Sequence, residues 1–272
     1  MHLCISLARL DLLSVTFYTT SEMIKHQMGS ESVNHRDVAT HVKGLKKSRF
    51  YRSSEVTGPN PDIQTVIDLR TKKDQLRYIP PLAKATRIHR VPFVGRKAGL
   101  SILANLPLNT LMKFIKSKGS EVIVGEFFFS SPDNLVQLYV LMAENAAEEL
   151  RRITEILADP SSGRVLVHCV AGKDRTGICV ALFARLCGAQ VEDIAFDYSL
   201  SQENLSLAMK SGLLNQVDPT LHSSLLSPSP WETMVAFLRT LETRYGSTRA
   251  FFESKLGIHP DLLDAVIENL KD

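Results

Sequence analysis

The apolar positions along this chain change their period several times, and the changes mark an alternating α/β order. Leu135, Leu138, Tyr139, Met142, Ala146, Leu150, Ile153 and Leu157 recur at spacings of three and four, which keeps them on one side of a helix. The spacing predicts one long amphipathic helix. Pro160-Ser161-Ser162-Gly163 then turns the chain, and Arg164-Val165-Leu166-Val167 reads as a buried strand. Residues 178–187 are apolar almost throughout and predict a buried helix, with Gly188 as its C-cap. Upstream, residues 63–69 read as a buried strand ended by the charged run 70–74, residues 88–93 as a second strand bounded by Pro92, and residues 106–116 as a helix. From Val191 onward the pattern is mostly helical, with breaks at Pro219 and at Ser227-Pro228-Ser229-Pro230. Trp231 opens a helix that turns Val235, Leu238 and Leu241 inward. The expected fold is α/β: a central, mostly parallel sheet with helices on both faces and a helical C-terminal part. Its site is expected at the C-terminal end of the Val165 strand, where open α/β sheets place ligands.

Between that strand and the helix after it lies His168-Cys169-Val170-Ala171-Gly172-Lys173-Asp174-Arg175-Thr176-Gly177. Strand, tight loop and helix N-terminus form an anion cradle, because backbone N–H groups and the positive end of the helix dipole face one point. Thiols at helix N-termini beside Arg or Lys ionise below the free-cysteine value of about 8.5. Cys169 is therefore the candidate nucleophile, forming a cysteinyl-phosphate. Arg175 is the candidate clamp, since its planar fork binds two phosphate oxygens. The amides of Val170, Ala171, Gly172 and Lys173 are expected to hold the remaining oxygens, with Gly172 permitting the turn. The Thr176 hydroxyl is a candidate partner for the sulfur as leaving group, and His168 is expected to orient the loop. Lys173 is read at the loop mouth, either as a second cation for multiply phosphorylated substrates or as a solvated lysine.

Other phosphate and metal chemistries fit less well. A Walker loop needs Ser or Thr after Gly-Lys, and here Asp174 follows Lys173. Cys4, Cys169, Cys179 and Cys187 make no Cys-x-x-Cys pair and no zinc-type spacing with histidine. Neither a metal nor another cofactor is expected.

The run resembles the signature of the cysteine-dependent protein tyrosine phosphatase superfamily: His-Cys, five residues, then Arg. It is closer to the Gly-Lys-Asp-Arg-Thr-Gly branch of bacterial and fungal tyrosine/serine phosphatases. Asn34-His35-Arg36-Asp37-Val38 resembles that branch's Asn-Phe-Arg-Asp start, with His35 in place of the aromatic. Phe50-Tyr51-Arg52-Ser53-Ser54 resembles its Tyr-Arg-Ser strand, and Val66-Ile67-Asp68-Leu69-Arg70 its Ile-Asp-Leu-Arg strand. Between the two, Gly58-Pro59-Asn60-Pro61 stands where the branch usually carries a helix. Asp197-Tyr198-Ser199-Leu200-Ser201, Tyr245-Gly246-Ser247 and the closing helix resemble later segments, so the similarity runs from Val33 to the C-terminus.

The resemblance implies a phosphomonoesterase working through a covalent intermediate. Its first substrate class is protein phosphotyrosine, with phosphoserine and phosphothreonine beside it, and phosphoinositide is the alternative. It also favours Asp174 as the general acid. The rival, Asp133 in Ser130-Ser131-Pro132-Asp133, reads better as the first-turn acid of a helix capped by Ser131. Arg70 either lines the pocket rim or, on the preferred reading, pairs with a carboxylate of the fold. Arg36, Asp37 and Arg52 read as a buried polar network, and Asp197 and Tyr198 as braces for the helix after the loop. A catalytically silent phospho-binding module is the reading from another class; loss of the cysteine or the arginine is its usual mark, and both are present.

Composition agrees with one catalytic domain over residues 33–272, preceded by an extension over 1–32. The chain has 272 residues, 44% hydrophobic and 22% charged, enough for a full core. A formal charge of +3 is too small to imply nucleic acid. Lys43, Lys46, Lys47, Arg49 and Arg52 read as a solvated basic face, with transient contact to an acidic membrane surface as the alternative. No stretch approaches the roughly 18 apolar residues of a membrane span. Four cysteines without a disulfide framework point to a reducing, cytoplasmic setting.

Overall fold

The computed structural model describes residues 32–55, 62–77, 86–117, 121–210 and 228–272. Most of the N-terminal extension, the Gly58 to Pro61 stretch and the expected break at Pro219 lie outside the described residues. Among the described residues, five strands form one sheet in the order β1-β2-β5-β3-β4. They are β1 (Arg36–Asp37), β2 (Phe50–Ser53), β3 (Thr65–Asp68), β4 (Arg87–Arg90) and β5 (Val165–His168). Only the β1–β2 pair is antiparallel.

The central strand β5 explains its own apolar run. It is paired on both edges and every residue is buried. Val165 and Val167 face a large helical core with Phe50 and Ile67. Leu166 faces the other way, into a smaller cluster with Ile63, Val66 and Tyr51. The last register step sets His168 beside Ser53 on one side and Asp68 on the other. The chain therefore leaves the sheet at Cys169 with the ends of β2 and β3 flanking it.

Helices surround the sheet: α1 (Lys72–Arg77), α2 (Arg96–Ala104), α3 (Leu108–Lys116), α4 (Glu121–Phe128), α5 (Pro132–Glu144), α6 (Ala147–Ala158), α7 (Asp174–Leu186), α8 (Val191–Lys210), α9 (Trp231–Tyr245) and α10 (Pro260–Leu270). Helix α7 follows the Cys169–Lys173 loop and is buried at every residue from Thr176 to Ala184, as a helix apolar on all sides must be. Helix α9 turns Val235, Leu238 and Leu241 into the core as its pattern predicts.

The single long helix expected before β5 is two helices. Asn145 ends α5 by donating its side-chain N–H to the Leu141 carbonyl (2.8 Å) and to Ser101 Oγ (3.2 Å). Asn competes with the backbone for such bonds, and the apolar spacing continues across the break. The charged run after β3 is likewise not a mere end. Thr71 N–H bonds Asp74 Oδ2 at 3.1 Å and Asp74 N–H bonds Thr71 Oγ1 at 3.2 Å, a reciprocal cap that starts α1. Helices α2 and α4 had no sequence expectation.

Gly188 closes α7 as expected. At φ +88° it lets Ala189 N–H reach the Ala184 carbonyl (3.1 Å) while its own N–H bonds Arg185 (2.9 Å), the double bond of a Schellman cap. No heavy atom lies near the position of a Cβ there. Gly188→Ala is therefore expected to cost about 1 kcal/mol through the left-handed backbone alone, read as a lower thermal midpoint with unchanged turnover.

Candidate active site

The loop from Cys169 to Arg175 is shaped by what its carbonyl groups bond. The Cys169 carbonyl lies 3.1 Å from His168 Nδ1. The Val170 carbonyl accepts from Glu55 N–H at 2.9 Å. Asn34 Nδ2 donates to the carbonyls of Ala171 (3.3 Å) and Gly172 (3.0 Å), and Arg52 Nη2 donates to Gly172 at 2.8 Å. The Lys173 carbonyl takes Gly177 N–H as the first bond of α7 (2.8 Å). In a planar trans peptide the N–H points opposite to the C=O. Carbonyls drawn outward therefore turn the following amides inward, which makes the cradle. Gly172 sits at φ +65°, and a Cβ there would strike the backbone of Ser53 and Ser54. No other residue fits that approach.

Behind the loop stands one buried carboxylate. Asp197, on α8, pairs with Arg36 Nε at 2.7 Å and with Arg52 Nη1 at 2.5 Å. Arg36 also bonds Asn34, the Asp197 carbonyl and Ser201 Oγ. Burial alone would raise the Asp197 carboxyl, but Arg52 and Arg36 together hold it below the usual carboxylate value. Burial, and then the neighbouring Arg52, bring Arg36 down to about 10, so it stays charged at neutral pH. The expected polar network of Arg36 and Arg52 is present, with Asp197 at its centre. Arg52 is thus fully buried and does not belong to the surface cluster of Lys43, Lys46, Lys47 and Arg49. Asp37 instead caps a short turn, accepting from Ala39 and Ser48 N–H.

The mouth of the loop is a set of neutralised cations. Arg175 Nη1 donates to Asp74 Oδ2 at 2.9 Å. Burial disfavours the Arg175 charge, but Cys169 and Asp74 more than restore it. Burial likewise pushes the Asp74 carboxyl up, and Arg175 with Thr71 outweighs it and holds the group low. Arg70 pairs with Asp68 at 2.9 Å and with Glu55, the carboxylate pairing preferred from the sequence. Lys173 is neither solvated nor free at the mouth. Its side chain is fully buried, with Nζ 5.7 Å from the Phe129 ring centre and 3.8 Å from Asp174 Oδ2. The sequence could not show this, because Phe129 is separated from Lys173 by α5, α6 and β5.

Asp174 opens α7, and its Oδ1 accepts the Tyr139 hydroxyl. The Tyr139 and Tyr198 hydroxyl oxygens lie 2.8 Å apart. Burial and then the Asp174 charge raise Tyr139 well above the usual phenol value, so it stays a donor. Asp133 lies exposed in the first turn of α5, behind the Ser131 cap that accepts Asn134 N–H. It is six residues, about 9 Å of helix rise, before the Tyr139 that touches the loop. The capping reading of Asp133 holds. Thr176 Oγ1 is buried with no hydrogen-bond partner among the described residues, so the bond to sulfur expected from the sequence is not formed in this geometry. Cys169 itself is 3% exposed. No cluster of metal-ligating side chains occurs among the described residues.

A model of the "Tyrosine phosphatase family" matches residues 30–272. The chain belongs to that family. Its members are hydrolases of phosphate monoesters, the class implied by the loop residues. The chain is also similar to a "Tyrosine-protein phosphatase" of Nostoc commune, 36% identical over 76 residues, 28% of this chain and 26% of the relative. It is 30% identical over 190 residues to the "Triple specificity protein phosphatase PtpB" of Mycobacterium tuberculosis, which covers 63% of this chain and 67% of the relative. The chain thus spans about a quarter of the first relative and two thirds of the second.

Within this family frame, the sequence reading missed the residues that act on the loop from a distance. Asn34 carried a signal, as part of the quoted start motif. Its φ of +62° suits Asn better than most residues. Thr71-x-x-Asp74 could have been read as a cap, but its contact with Arg175 could not. In the sequence Tyr139 is only one more apolar position on a helix.

His168 has a thermodynamic consequence. Burial lowers it from 6.5 to about 4, although Asp68 opposes the shift. The unfolded chain therefore gains a proton between pH 6.5 and 4 that the folded chain refuses, and stability falls as pH falls through that window. The loss is on the order of 3 kcal/mol, and His168→Asn is expected to flatten it in urea titrations across pH. Asp74→Asn removes the charge of the group that holds Arg175, and kcat/KM for p-nitrophenyl phosphate is expected to fall about 10- to 100-fold.

Proposed function

We propose that this chain hydrolyses phosphomonoesters through a cysteinyl-phosphate, with protein phosphotyrosine as its first substrate class and phosphoserine and phosphothreonine beside it. Cys169 Sγ attacks phosphorus in line while the bond to the leaving oxygen breaks. Asp174 gives that oxygen its proton. Arg175 and the amides of Val170, Ala171, Gly172 and Lys173 take the charge on the equatorial oxygens. Water then attacks the phosphorus, Asp174 takes its proton, and the P–S bond breaks. The observation that carries this reading is that three consecutive loop carbonyls, Val170 to Gly172, are held by groups outside the loop, beside an arginine held by Asp74.

Charge pairing supports a single phosphate as the preferred ligand. Arg70 and Arg175 each stand beside a carboxylate and the Lys173 side chain is buried, which leaves little excess positive charge for a second phosphate. Phosphoinositide is the alternative substrate, and the name of the mycobacterial relative supports a breadth beyond phosphotyrosine. We place the catalytic domain at residues 33–272, with 1–32 as an extension. No helix among the described residues is long and apolar enough to cross a membrane. A thiolate enzyme with free Cys169, Cys179 and Cys187 suits a reducing compartment, and we assign it to the cytoplasm.

Comparison of kcat/KM over phosphopeptides and phosphoinositides tests the substrate class; a preference for the lipids would overturn it. Cys169→Ser is expected to reduce p-nitrophenyl phosphate hydrolysis to background, whereas a folded wild type without turnover would favour a silent binder. Asp174→Asn is expected to lose about 10²- to 10⁴-fold on an alkyl phosphate and far less on an aryl phosphate with a good leaving group. Equal, small losses on both would reject Asp174 as the proton donor.

A further inference from the structure

Helix α3 turns three of its apolar residues outward, while Leu111 packs against the core. Leu108, Met112 and Ile115 share one face at i, i+4 and i+7, and they are 74%, 44% and 58% exposed. The helix buries none of its residues. The helices on either side of it in sequence add Leu100 on α2 and Val122 on α4, 59% and 50% exposed. Of the eight exposed large apolar side chains among the described residues, five fall between positions 100 and 122. Single exposed apolar residues are ordinary; a concentration of them marks a surface that something covers.

The charge on α3 says what kind of surface fits. Lys113 and Lys116 are exposed on the same helix, and α3 carries no acidic residue. An apolar face with lysines along one side of it fits a helix lying in a lipid–water interface, where lysine stems run along apolar surface while the ammonium groups reach outward. We propose that the α3 face docks on a lipid surface bearing anionic headgroups. Helix α4 packs on α3 and ends at Phe128, and the next residue, Phe129, rests on Lys173 of the catalytic loop. One helix therefore joins the docking face to the loop. The docking does not depend on whether the phosphate comes from a protein or a lipid.

Co-sedimentation of the full chain with phosphatidylcholine vesicles, with and without 30% phosphatidylserine, tests the proposal. The wild type is expected to partition onto the anionic vesicles and to be released by salt. A lysine near such a surface contributes about fivefold in partitioning, so Lys113→Glu with Lys116→Glu is expected to lower binding by at least about 25-fold. Met112→Asp with Ile115→Asp is expected to abolish it. Both pairs lie on an exposed face outside the catalytic machinery, so circular dichroism and hydrolysis of soluble p-nitrophenyl phosphate should match wild type. Those controls separate failed docking from failed catalysis. Equal partitioning onto neutral and anionic vesicles would overturn the proposal, as would undiminished binding by folded Met112→Asp/Ile115→Asp. A dimer lost in that same pair, with no vesicle binding by wild type, would assign the face to a second copy instead.

Discussion

The carboxylate of Asp197, buried between the guanidinium groups of Arg36 and Arg52, holds the candidate catalytic loop in shape from behind. It fixes Arg52, whose other nitrogen holds the Gly172 carbonyl, and Arg36, which bonds the Asn34 that holds the same peptide and its neighbour. The loop amides face inward because their carbonyls are held outward. A buried cluster of this kind is weak evidence for stability as such, since desolvation opposes the attraction. Removing one member is another matter. It strands a buried charge, typically at a cost of about 3–5 kcal/mol. The network therefore works as a geometric specification, drawing β1, β2 and α8 onto one loop.

On the substrate side the same logic appears with weaker burial. Arg175 meets Asp74 and Arg70 meets Asp68 and Glu55, while Lys173 is enclosed beside Phe129 and Asp174. Each pairing holds a long, flexible side chain in place before any phosphate arrives, which spares the ordering cost on binding. Each also lowers the free positive charge of the site. The lysines of α3 stand on a different helix, so the proposed docking on an anionic surface and the proposed recognition of a single phosphate fall to separate groups.

Where the sequence reading failed, short-range patterning was cut by a side chain acting locally or by one arriving from afar. The apolar spacing through Ala146 is helical on both sides of a break made by Asn145, because two helices facing the same core share a buried stripe. The charged run after β3 looked like the end of an element; its Thr71–Asp74 cap makes it the start of one. Lys173 looked solvent-facing because lysine usually is. Its enclosure involves Phe129, which reaches it from a distant part of the chain, beside the adjacent Asp174.

The sequence alone determined the nucleophile candidate, the arginine beside it, the strand that delivers them and the helix that follows. Those features depend on spacing within about a dozen residues, and spacing is what a sequence records. Tertiary structure decided everything that reaches the loop across the fold: Asn34 and Arg52 on its carbonyls, Asp74 on Arg175, Tyr139 on Asp174. These contacts join positions 35 to 138 residues apart. Only the packing of strands and helices brings such groups within hydrogen-bond distance, because residue type gives no sign of which distant partner a side chain will meet.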